Sequence, residues 1–286
     1  MMKCRLDNAL AARGLVASRN MAQALVIEGK VRVNGQVAAK PAQMVADDDR
    51  IEVEAPPRFV SRGGEKLEGA FAAFPGWNVD GRICLDVGAS TGGFTDCLLQ
   101  HGAKMVMAVD VGTNQLAWKL RSDPRVWVRE NFNARYMTAA DIPDRPSRAV
   151  TDVSFISLRL ILPPMADVLE PGGEIVSLIK PQFEAGRGLA PGGVVVDPEV
   201  RRRVVDDISA FGQETLGLTL LGVEESPIRG RDKGNVEYLA GGESPSTGKE
   251  VASDAKCCAC RCGGRIGVCV RVRTRDVYCG REAPGG

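Results

Sequence analysis

The stretch LDVGASTGGFTD, from Leu85 to Asp96, decides the fold of this chain. It continues an apolar run, 83–87, that predicts a buried strand containing a single acid, Asp86. The glycines that follow permit a tight turn into a helix, because glycine adopts backbone conformations that other residues avoid. Such a turn brings backbone N–H groups close to a ligand at the start of the helix. The stretch therefore predicts a strand, a ligand-binding turn and a helix in direct succession.

A second apolar run, Met105–Val109, ends in Asp110, about twenty residues after the first glycine of the turn, Gly88. An acid at this place typically binds the two hydroxyls of a ribose. The turn has the pattern GxSTGG instead of GxGxxG, and no P-loop lysine follows it, which argues against a dinucleotide or a nucleoside triphosphate. We therefore expect a nucleoside without phosphates, such as S-adenosylmethionine. An ordinary α/β turn is the alternative interpretation of the same glycines.

Strands and helices alternate from residue 65 to about residue 240. This alternation is typical of a mostly parallel sheet covered by helices on both faces, so we predict an α/β, Rossmann-like domain over 65–240. The strands predicted to be parallel are 82–87, 105–109, 126–129, 149–153 and 174–179, and helices are predicted over 65–74 and 198–216. The segments 218–223 and 236–240 predict a terminal antiparallel pair.

The first 55 residues predict a separate, small α+β domain. Two short helices are separated at Gly14, and Ser18 is a suitable N-cap for the second. Asn34-Gly35 lies between alternating apolar residues, which is a strong hairpin signal. From Lys3 to Lys40, seven basic residues face only two acidic ones, Asp7 and Glu28. Residues 56–64, which begin with two prolines, are predicted to be a linker.

The composition is typical of a globular protein, because 44% of the 286 residues are hydrophobic and 26% are charged. The formal net charge is only +1, so any affinity for nucleic acid must come from local patches. The chain shows neither a basic segment followed by an apolar leader nor an apolar run long enough to span a bilayer. We therefore predict a cytoplasmic protein with no membrane partner.

The nine cysteines predict neither a disulfide framework nor a metal site, because six of them lie in the last thirty residues. Their spacing there is not the paired CxxC of a structural zinc site, so no metal is expected. The tail, 241–286, is rich in Gly, Ser, Arg and Cys without apolar periodicity and is predicted to be disordered. His101, the single histidine, is predicted to be a surface residue. The tryptophans are predicted to be core or groove residues: Trp77, Trp118 and Trp127.

Polar side chains stand near the ends of several predicted strands, where α/β sheets bind their ligands. Asp86 and Asp110 follow the first two strands, and Asp152 lies within TDVSF near the end of the fourth. Lys180 ends the fifth strand within LIKPQFE, and Glu237 lies in the last strand, NVEYL. A lysine at the end of an apolar strand is unusual. It is either a catalytic group or one half of a structural ion pair.

The segment RLDNALAARGLVASRNMAQALVIEGKVRVNGQVAAKP, residues 5–41, resembles an S4 RNA-binding domain. The motifs SRGGEKL, LDVGASTGGFTD, TDVSFISL, KPQFEAGRG and GNVEYL follow in order and resemble the TlyA family. Its members are S4-fused, FtsJ-like ribosomal-RNA 2′-O-methyltransferases that are also labelled haemolysins. The resemblance covers about residues 3–240. It implies a catalytic tetrad of Lys66, Asp152, Lys180 and Glu237.

Such a tetrad suits the chemistry of 2′-O-methylation. A ribose 2′-hydroxyl is a poor nucleophile because it holds its proton tightly at neutral pH. Methyl transfer from a sulfonium therefore needs in-line approach and a group that orients the hydroxyl or accepts its proton. We expect Lys180 to be that group, with the two acids holding both lysines in place.

The resemblance further implies S-adenosylmethionine as the cofactor and ribosomal RNA or a ribosomal subunit as the partner, with a cytidine ribose as the target. The predicted cofactor-binding residues are Asp86, Gly88, Ala89, Ser90, Gly92, Gly93, Phe94, Asp110, Asn131 and Asn133. The residues predicted to bind RNA, chiefly through its phosphates, are Arg5, Arg13, Ser18, Arg19, Lys30 and Arg62. Phe183 is a possible stacking partner for a flipped base.

Three other functions compete with this interpretation. A non-catalytic RNA-binding or ribosome-assembly factor would share the fold, but it would need neither the tetrad nor the glycine turn. A cytolysin is disfavoured because the chain lacks a spanning segment and a strongly amphipathic cationic helix. A small-molecule methyltransferase would have no use for the RNA-binding segment.

Overall fold

The computed structural model describes residues 3–55, 57–186, 188–231 and 233–246. The amino-terminal residues form a small α+β unit in which two helices cover short antiparallel strands. Its elements are β1 (Lys3–Arg5), α1 (Leu6–Ala12), α2 (Arg19–Ile27), β2 (Val31–Val33), β3 (Gln36–Val37), β4 (Met44–Ala46) and β5 (Ile51–Val53). β1 pairs with β4, and β2 lies between β3 and β5. Leu6, Leu10 and Val31 are fully buried in the core of this unit.

Two local predictions for this unit are confirmed. The Ser18 hydroxyl accepts a hydrogen bond of 3.2 Å from the backbone N–H of Met21 and so caps α2. Asn34 and Gly35 have φ angles of 52° and 82°, and they connect β2 to β3. Two successive residues with positive φ form a two-residue hairpin turn whose twist matches that of the flanking strands.

The residues after the linker build a seven-stranded sheet with a parallel centre, as predicted. Its strands are β6 (Ile83–Val87), β7 (Met105–Val109), β8 (Val126–Arg129), β9 (Arg148–Thr151), β10 (Glu174–Ile179), β11 (Thr219–Glu225) and β12 (Tyr238–Glu243). Their order is β11-β12-β10-β9-β6-β7-β8, and β6 to β10 are all parallel. The predicted antiparallel pair, β11 and β12, completes one edge.

The strand order reverses beside β6, because β7 and β8 lie on one side of it and β9 and β10 on the other. In open α/β sheets, ligands bind in the crevice outside the carboxyl ends of the strands at such a reversal. The crevice between β6 and β9 therefore marks where a site is expected.

Helices cover both faces of the sheet and bury two separate apolar layers. They are α3 (Gly63–Ala73), α4 (Gly93–Gln100), α5 (Trp118–Arg121), α6 (Leu162–Val168), α7 (Pro181–Glu184) and α8 (Pro198–Ala210). Within β6, Cys84 packs in the layer of α3 and α4 and Leu85 in that of α6 and α8, as the alternation along a strand requires. A π-helical turn, Phe211–Thr215, extends α8, so the helix predicted over 198–216 is confirmed.

Several placements differ from the sequence prediction. Asp86 lies inside β6 and is fully buried, which confirms the buried strand predicted over 83–87, whereas its placement after the end of that strand is wrong. Glu237 directly precedes β12, so it is not within a strand. Trp118 is 77% exposed and is not a core residue, whereas Trp77 is buried.

The predicted tail also begins too early, because residues 241–243 complete β12 and Ser244 N–H bonds the Gly173 carbonyl. The remainder of that tail, from residue 247, lies outside the described residues.

His101 is half-buried, so the predicted surface residue is only partly exposed. Its ring stacks on that of Phe71 with centroids 3.7 Å apart, and its Nε2 lies 2.9 Å from Glu68 Oε2. Arg58 holds the other oxygen of Glu68, and the Cys97 thiol lies 3.7 Å from Glu68 Oε2. Glu68, Cys97 and His101 are residue types that bind metals, but their own contacts explain the arrangement, which links α3 to α4.

Candidate active site

The turn after β6 depends on its glycines for both conformation and packing. Gly88 and Gly92 have φ angles of 83° and 95°, which favour glycine. A Cβ on Gly92 would lie 2.2 Å from Leu120, and one on Gly88 would lie 3.0 Å from Val153. The turn therefore packs directly against α5 and against the segment that follows β9.

Asp110, at the end of β7, fixes the geometry of this turn. Its two carboxylate oxygens accept hydrogen bonds from the backbone N–H groups of Ser90 and Gly112, at 2.8 and 2.6 Å. Asp110 is only half-buried, so its remaining lone pairs face a cavity. The predicted acid thus lies beside the glycine turn, as its spacing indicated.

A cavity of about 470 Å³ opens at the carboxyl ends of β6, β7 and β9, beside the strand-order reversal. Its volume lies in the range of small-molecule sites. Of the predicted cofactor-binding residues, it is lined by Gly88, Ser90, Asp110 and Asn133. The same cavity is lined by Asp152 and by residues that the sequence did not single out: Gln115, Phe132, Ser154, Phe155 and Ile156.

The other predicted cofactor-binding residues do not line this cavity: Asp86, Ala89, Gly92, Gly93, Phe94 and Asn131. Gly92 and Gly93 shape the turn and the start of α4, where a Cβ on Gly93 would lie 2.3 Å from Ser61 Oγ. Phe94 belongs to the apolar layer beneath α4. Asn131 is exposed, with a φ of 53°, and bonds the Gly112 carbonyl through its backbone N–H.

Asp86 is a core carboxyl. Its Oδ2 accepts a hydrogen bond of 2.6 Å from the Thr95 hydroxyl, and its Oδ1 has no side-chain or backbone partner among the described residues. The pKa of Asp86 is raised to about 7, chiefly by burial and also by the nearby carboxylates Asp152 and Asp110, while hydrogen bonding to Thr95 partly offsets the rise. Asp86 does not line the cavity, and its predicted place near the amino group of the cofactor stays a prediction.

The four residues of the predicted tetrad converge from distant parts of the chain. Lys66 Nζ, on α3, lies 2.7 Å from Glu237 Oε2 and 3.3 Å from Asp152 Oδ2. Lys180 Nζ, directly after β10, lies 2.6 Å from Asp152 Oδ1. Asp152 therefore bridges the two lysines, and the order of contacts is Glu237, Lys66, Asp152, Lys180.

This tetrad is largely removed from solvent, since the Lys180 and Glu237 side chains are 8% and 3% exposed. Acidic and basic side chains alternate along this network, so each ionisable group has a neighbour of opposite type, as burial of such groups requires. Of the contacts to Lys180, that with the Ser154 hydroxyl, at 2.8 Å, has hydrogen-bond geometry.

A second cavity, of about 350 Å³, adjoins the first on the side of the tetrad. Lys66, Lys180 and Glu237 line it, together with Ser154 and Phe155, which also line the first cavity. Phe155 is 90% exposed and has a φ of 63°, which is unusual for an aromatic residue, and its ring lies 5.0 Å from that of Phe183. The tetrad therefore stands where two cavities meet.

The predicted RNA-binding residues of the first unit have distinct local partners. Arg5 and Arg19 both bond Asp7, which is fully buried, at 2.8 and 3.1 Å. Hydrogen bonds from Arg5, and then from Gln23 and Arg19, hold the pKa of Asp7 well below its usual range, so it stays charged. The two guanidinium groups are thereby held side by side with their outer edges exposed.

The other predicted RNA-binding residues are tied into the fold more closely. Arg13 donates to the carbonyls of Ala46, Asp47 and Asp49, and Ser18 caps α2. Lys30 pairs with Glu28 at 2.6 Å, and Arg62 donates to the carbonyl of Arg229 at 2.9 Å. Contacts within the protein thus account for the side chains of Arg13 and Ser18. Arg5 and Arg19, in contrast, keep exposed N–H groups.

Two family models match this chain. Residues 59–243 match the family model of the FtsJ-like methyltransferases, and residues 4–51 match that of the S4 domain. The chain is 48% identical to the 16S/23S rRNA (cytidine-2′-O)-methyltransferase TlyA of Mycobacterium tuberculosis, over 83% of this chain and 88% of the relative. This chain belongs to the TlyA family of FtsJ-like methyltransferases.

Two further relatives support membership of the TlyA family. Hemolysin A of Brachyspira hyodysenteriae is 46% identical over 82% of this chain and 98% of the relative. A solved structure of a candidate hemolysin from Streptococcus thermophilus is 44% identical, covers 86% of this chain and 90% of its own, and superposes with a TM-score of 0.65. Among the residues that the structure describes, no helix has both the length and the apolar character needed to cross a bilayer.

Proposed function

We propose that this protein transfers a methyl group from S-adenosylmethionine to the 2′-hydroxyl of a cytidine ribose in ribosomal RNA. The observation that carries the proposal is the buried contact network of Lys66, Asp152, Lys180 and Glu237 at the junction of two cavities. The curated relatives named as rRNA (cytidine-2′-O)-methyltransferases support the choice of substrate. A protein with this substrate acts where ribosomes are assembled, in the cytoplasm.

The first cavity suits the cofactor in size and in donor groups. The Asp110 carboxylate, fixed by two backbone amides, is placed to accept the hydroxyls of a ribose. The Gly88 backbone can approach a ligand closely because no Cβ intervenes, and Asn133 offers polar atoms farther along the cavity. When bound, S-adenosylmethionine supplies an electrophilic methyl group on a sulfonium.

The second cavity suits the target ribose, because Lys180 lies at its border with the first. Lys180 would receive the 2′-hydroxyl, orient its oxygen toward the first cavity and hold or accept its proton. Asp152 fixes Lys180 and is itself fixed by Lys66, which Glu237 holds. Each member thus restricts the next, and the group that meets the substrate is positioned before the RNA binds.

A methyl-transfer assay with defined RNA products tests this function. Ribosomal subunits from cells that lack the gene would be incubated with the protein and radiolabelled S-adenosylmethionine, and primer extension would then map 2′-O-methyl groups. The expected result is label in RNA and a new stop at a cytidine. Label on a base or on protein, or no label in RNA with either subunit, would refute the proposal.

Binding of RNA by the first unit should depend on Arg5 and Arg19, the two arginines that contact Asp7. We expect Arg19→Gln to weaken binding to ribosomal RNA and to reduce the slope of log K against log salt by about 0.7 to 0.9, the value for one phosphate contact. Filter binding over a range of salt concentrations measures this slope. Arg125→Gln is the matched control, since Arg125 is also exposed and paired with an aspartate, Asp123. An unchanged slope for Arg19→Gln would remove Arg19 from the interface.

A further inference from the structure

Ser154 extends the charged network by one member. Its hydroxyl accepts a hydrogen bond of 2.8 Å from Lys180 Nζ, on the opposite end of the network from Glu237. Ser154 is exposed and lines both cavities, whereas Lys180 is almost completely buried. The open end of the network is therefore a neutral hydroxyl that lies where the two proposed substrates would meet.

The two contacts of Lys180 differ in kind, and together they restrict its amine. Asp152 Oδ1 lies 2.6 Å from Lys180 Nζ. This electrostatic attraction restricts the position of the nitrogen more than the direction of its N–H bonds. The hydrogen bond to Ser154 is directional. A lysine nitrogen has three positions besides its bond to Cε. The bond to Ser154 fills one of them, and Asp152 Oδ1 attracts the amine without hydrogen-bond geometry, so the direction of the remaining position is set by Ser154.

The loop that carries Ser154 is itself anchored. Glu184, on α7, accepts hydrogen bonds from the Ser157 hydroxyl and the Leu158 N–H, at 2.6 and 2.7 Å. α7 begins directly after Lys180. The same short helix therefore both follows the residue that carries the amine and contacts the loop after β9. The loop that carries Ser154 is therefore anchored three residues farther along, next to the helix that follows Lys180.

We infer that Ser154 is a positioning residue, whose hydroxyl directs the remaining position of Lys180 Nζ at the 2′-oxygen of the target ribose. This inference rests on the proposed function. In the transfer, the bond from the methyl carbon to sulfur breaks, the bond from that carbon to O2′ forms, and the proton of O2′ passes to solvent, which carries away the positive charge of the sulfonium. Ser154 gains and loses no proton overall, so its contribution is to geometry.

Kinetics of three variants of the full chain test the inference. We expect Ser154→Ala to lower kcat about 10- to 100-fold, the effect of misplacing a reacting group, while KM for the ribosomal subunit and Kd for S-adenosylmethionine change less than threefold. Ser154→Thr, which keeps the hydroxyl, should restore kcat to within about threefold. Ser122→Ala is the matched control, because the Ser122 hydroxyl bonds the Trp118 carbonyl outside both cavities. A kcat for Ser154→Ala within twofold of the unmodified protein would overturn the inference, and so would failure of threonine to restore it.

A crystal structure of Ser154→Ala supplies a readout that does not depend on methyl transfer. We expect Lys180 Nζ to shift or to occupy more than one position while Asp152 stays in place. If the unmodified protein methylates no RNA but Nζ moves in this variant, the proposed function fails and the positioning role stands. If Nζ keeps its single position without the hydroxyl, the positioning role is wrong whatever the substrate.

Discussion

Replacing Lys180 with methionine is expected to reduce methyl transfer about 10²- to 10⁴-fold, the usual contribution of a group that moves or holds a proton in the transition state. Methionine keeps most of the side-chain volume but cannot donate to a hydroxyl or accept its proton. Lys180 does not line the first cavity, so the affinity for S-adenosylmethionine should change less than about threefold. Single-turnover methylation of ribosomal subunits measures the first effect, and calorimetry measures the second.

Lys119→Met is the matched control for this prediction. Lys119 also pairs with an aspartate, Asp96, at 3.3 Å, but it lines neither of the two cavities. It should retain the full rate. Full activity in Lys180→Met would show that this amine takes no part in the reaction, and equal losses in both variants would indicate a general effect of removing a lysine.

The largest expected effect on stability comes from Asp86, whose charge is suppressed by burial. An aspartate in an unfolded chain titrates at about pH 3.9, whereas the pKa of Asp86 in the folded protein is about 7. Between these values the folded state binds a proton that the unfolded state has lost, so the contribution of Asp86 to stability falls as the pH rises. We expect Asp86→Asn, which has no proton to lose, to gain stability relative to the unmodified protein over this range, by up to about 4 kcal/mol.

Urea unfolding at several pH values between 4 and 8 tests this prediction. Tryptophan fluorescence reports on the sheet domain alone, because Trp77, Trp118 and Trp127 all lie within it. Asp48→Asn, at an exposed turn, controls for the loss of a carboxylate elsewhere. A difference between Asp86→Asn and the unmodified protein that is constant with pH would contradict the assignment of a suppressed charge.

The architecture was predictable because its signals are local. Apolar runs such as Met105–Val109 and the glycine turn after β6 specify strands and a tight connection within a few residues. Asn34-Gly35 specifies a hairpin in the same way. The parallel centre then follows from the alternation of strands and helices, since few connections between parallel strands are sterically acceptable.

The site was only partly predictable, because convergence in space leaves no local pattern. The resemblance to a family predicted that Lys66 and Glu237 lie in one site, whereas their spacing along the chain gives no such indication. Ser154 and Phe155 were missed since a serine and an aromatic residue in a loop carry no periodicity, although TDVSF places both directly after the predicted Asp152. The distance of Asp86 from the cavity was not predictable, because a sequence shows that an acid adjoins a glycine turn but not how its side chain is enclosed.

The ion pair between Lys66 and Glu237 has a consequence for the order in which the protein matures. It joins the helix that precedes β6 to the residue that precedes β12, so almost the whole sheet domain must be synthesised before the pair can form. Contacts between residues so distant along the chain form late in folding. A nascent chain therefore lacks the complete network, and under the proposed function methyl transfer begins only after Glu237 has been synthesised and has reached Lys66.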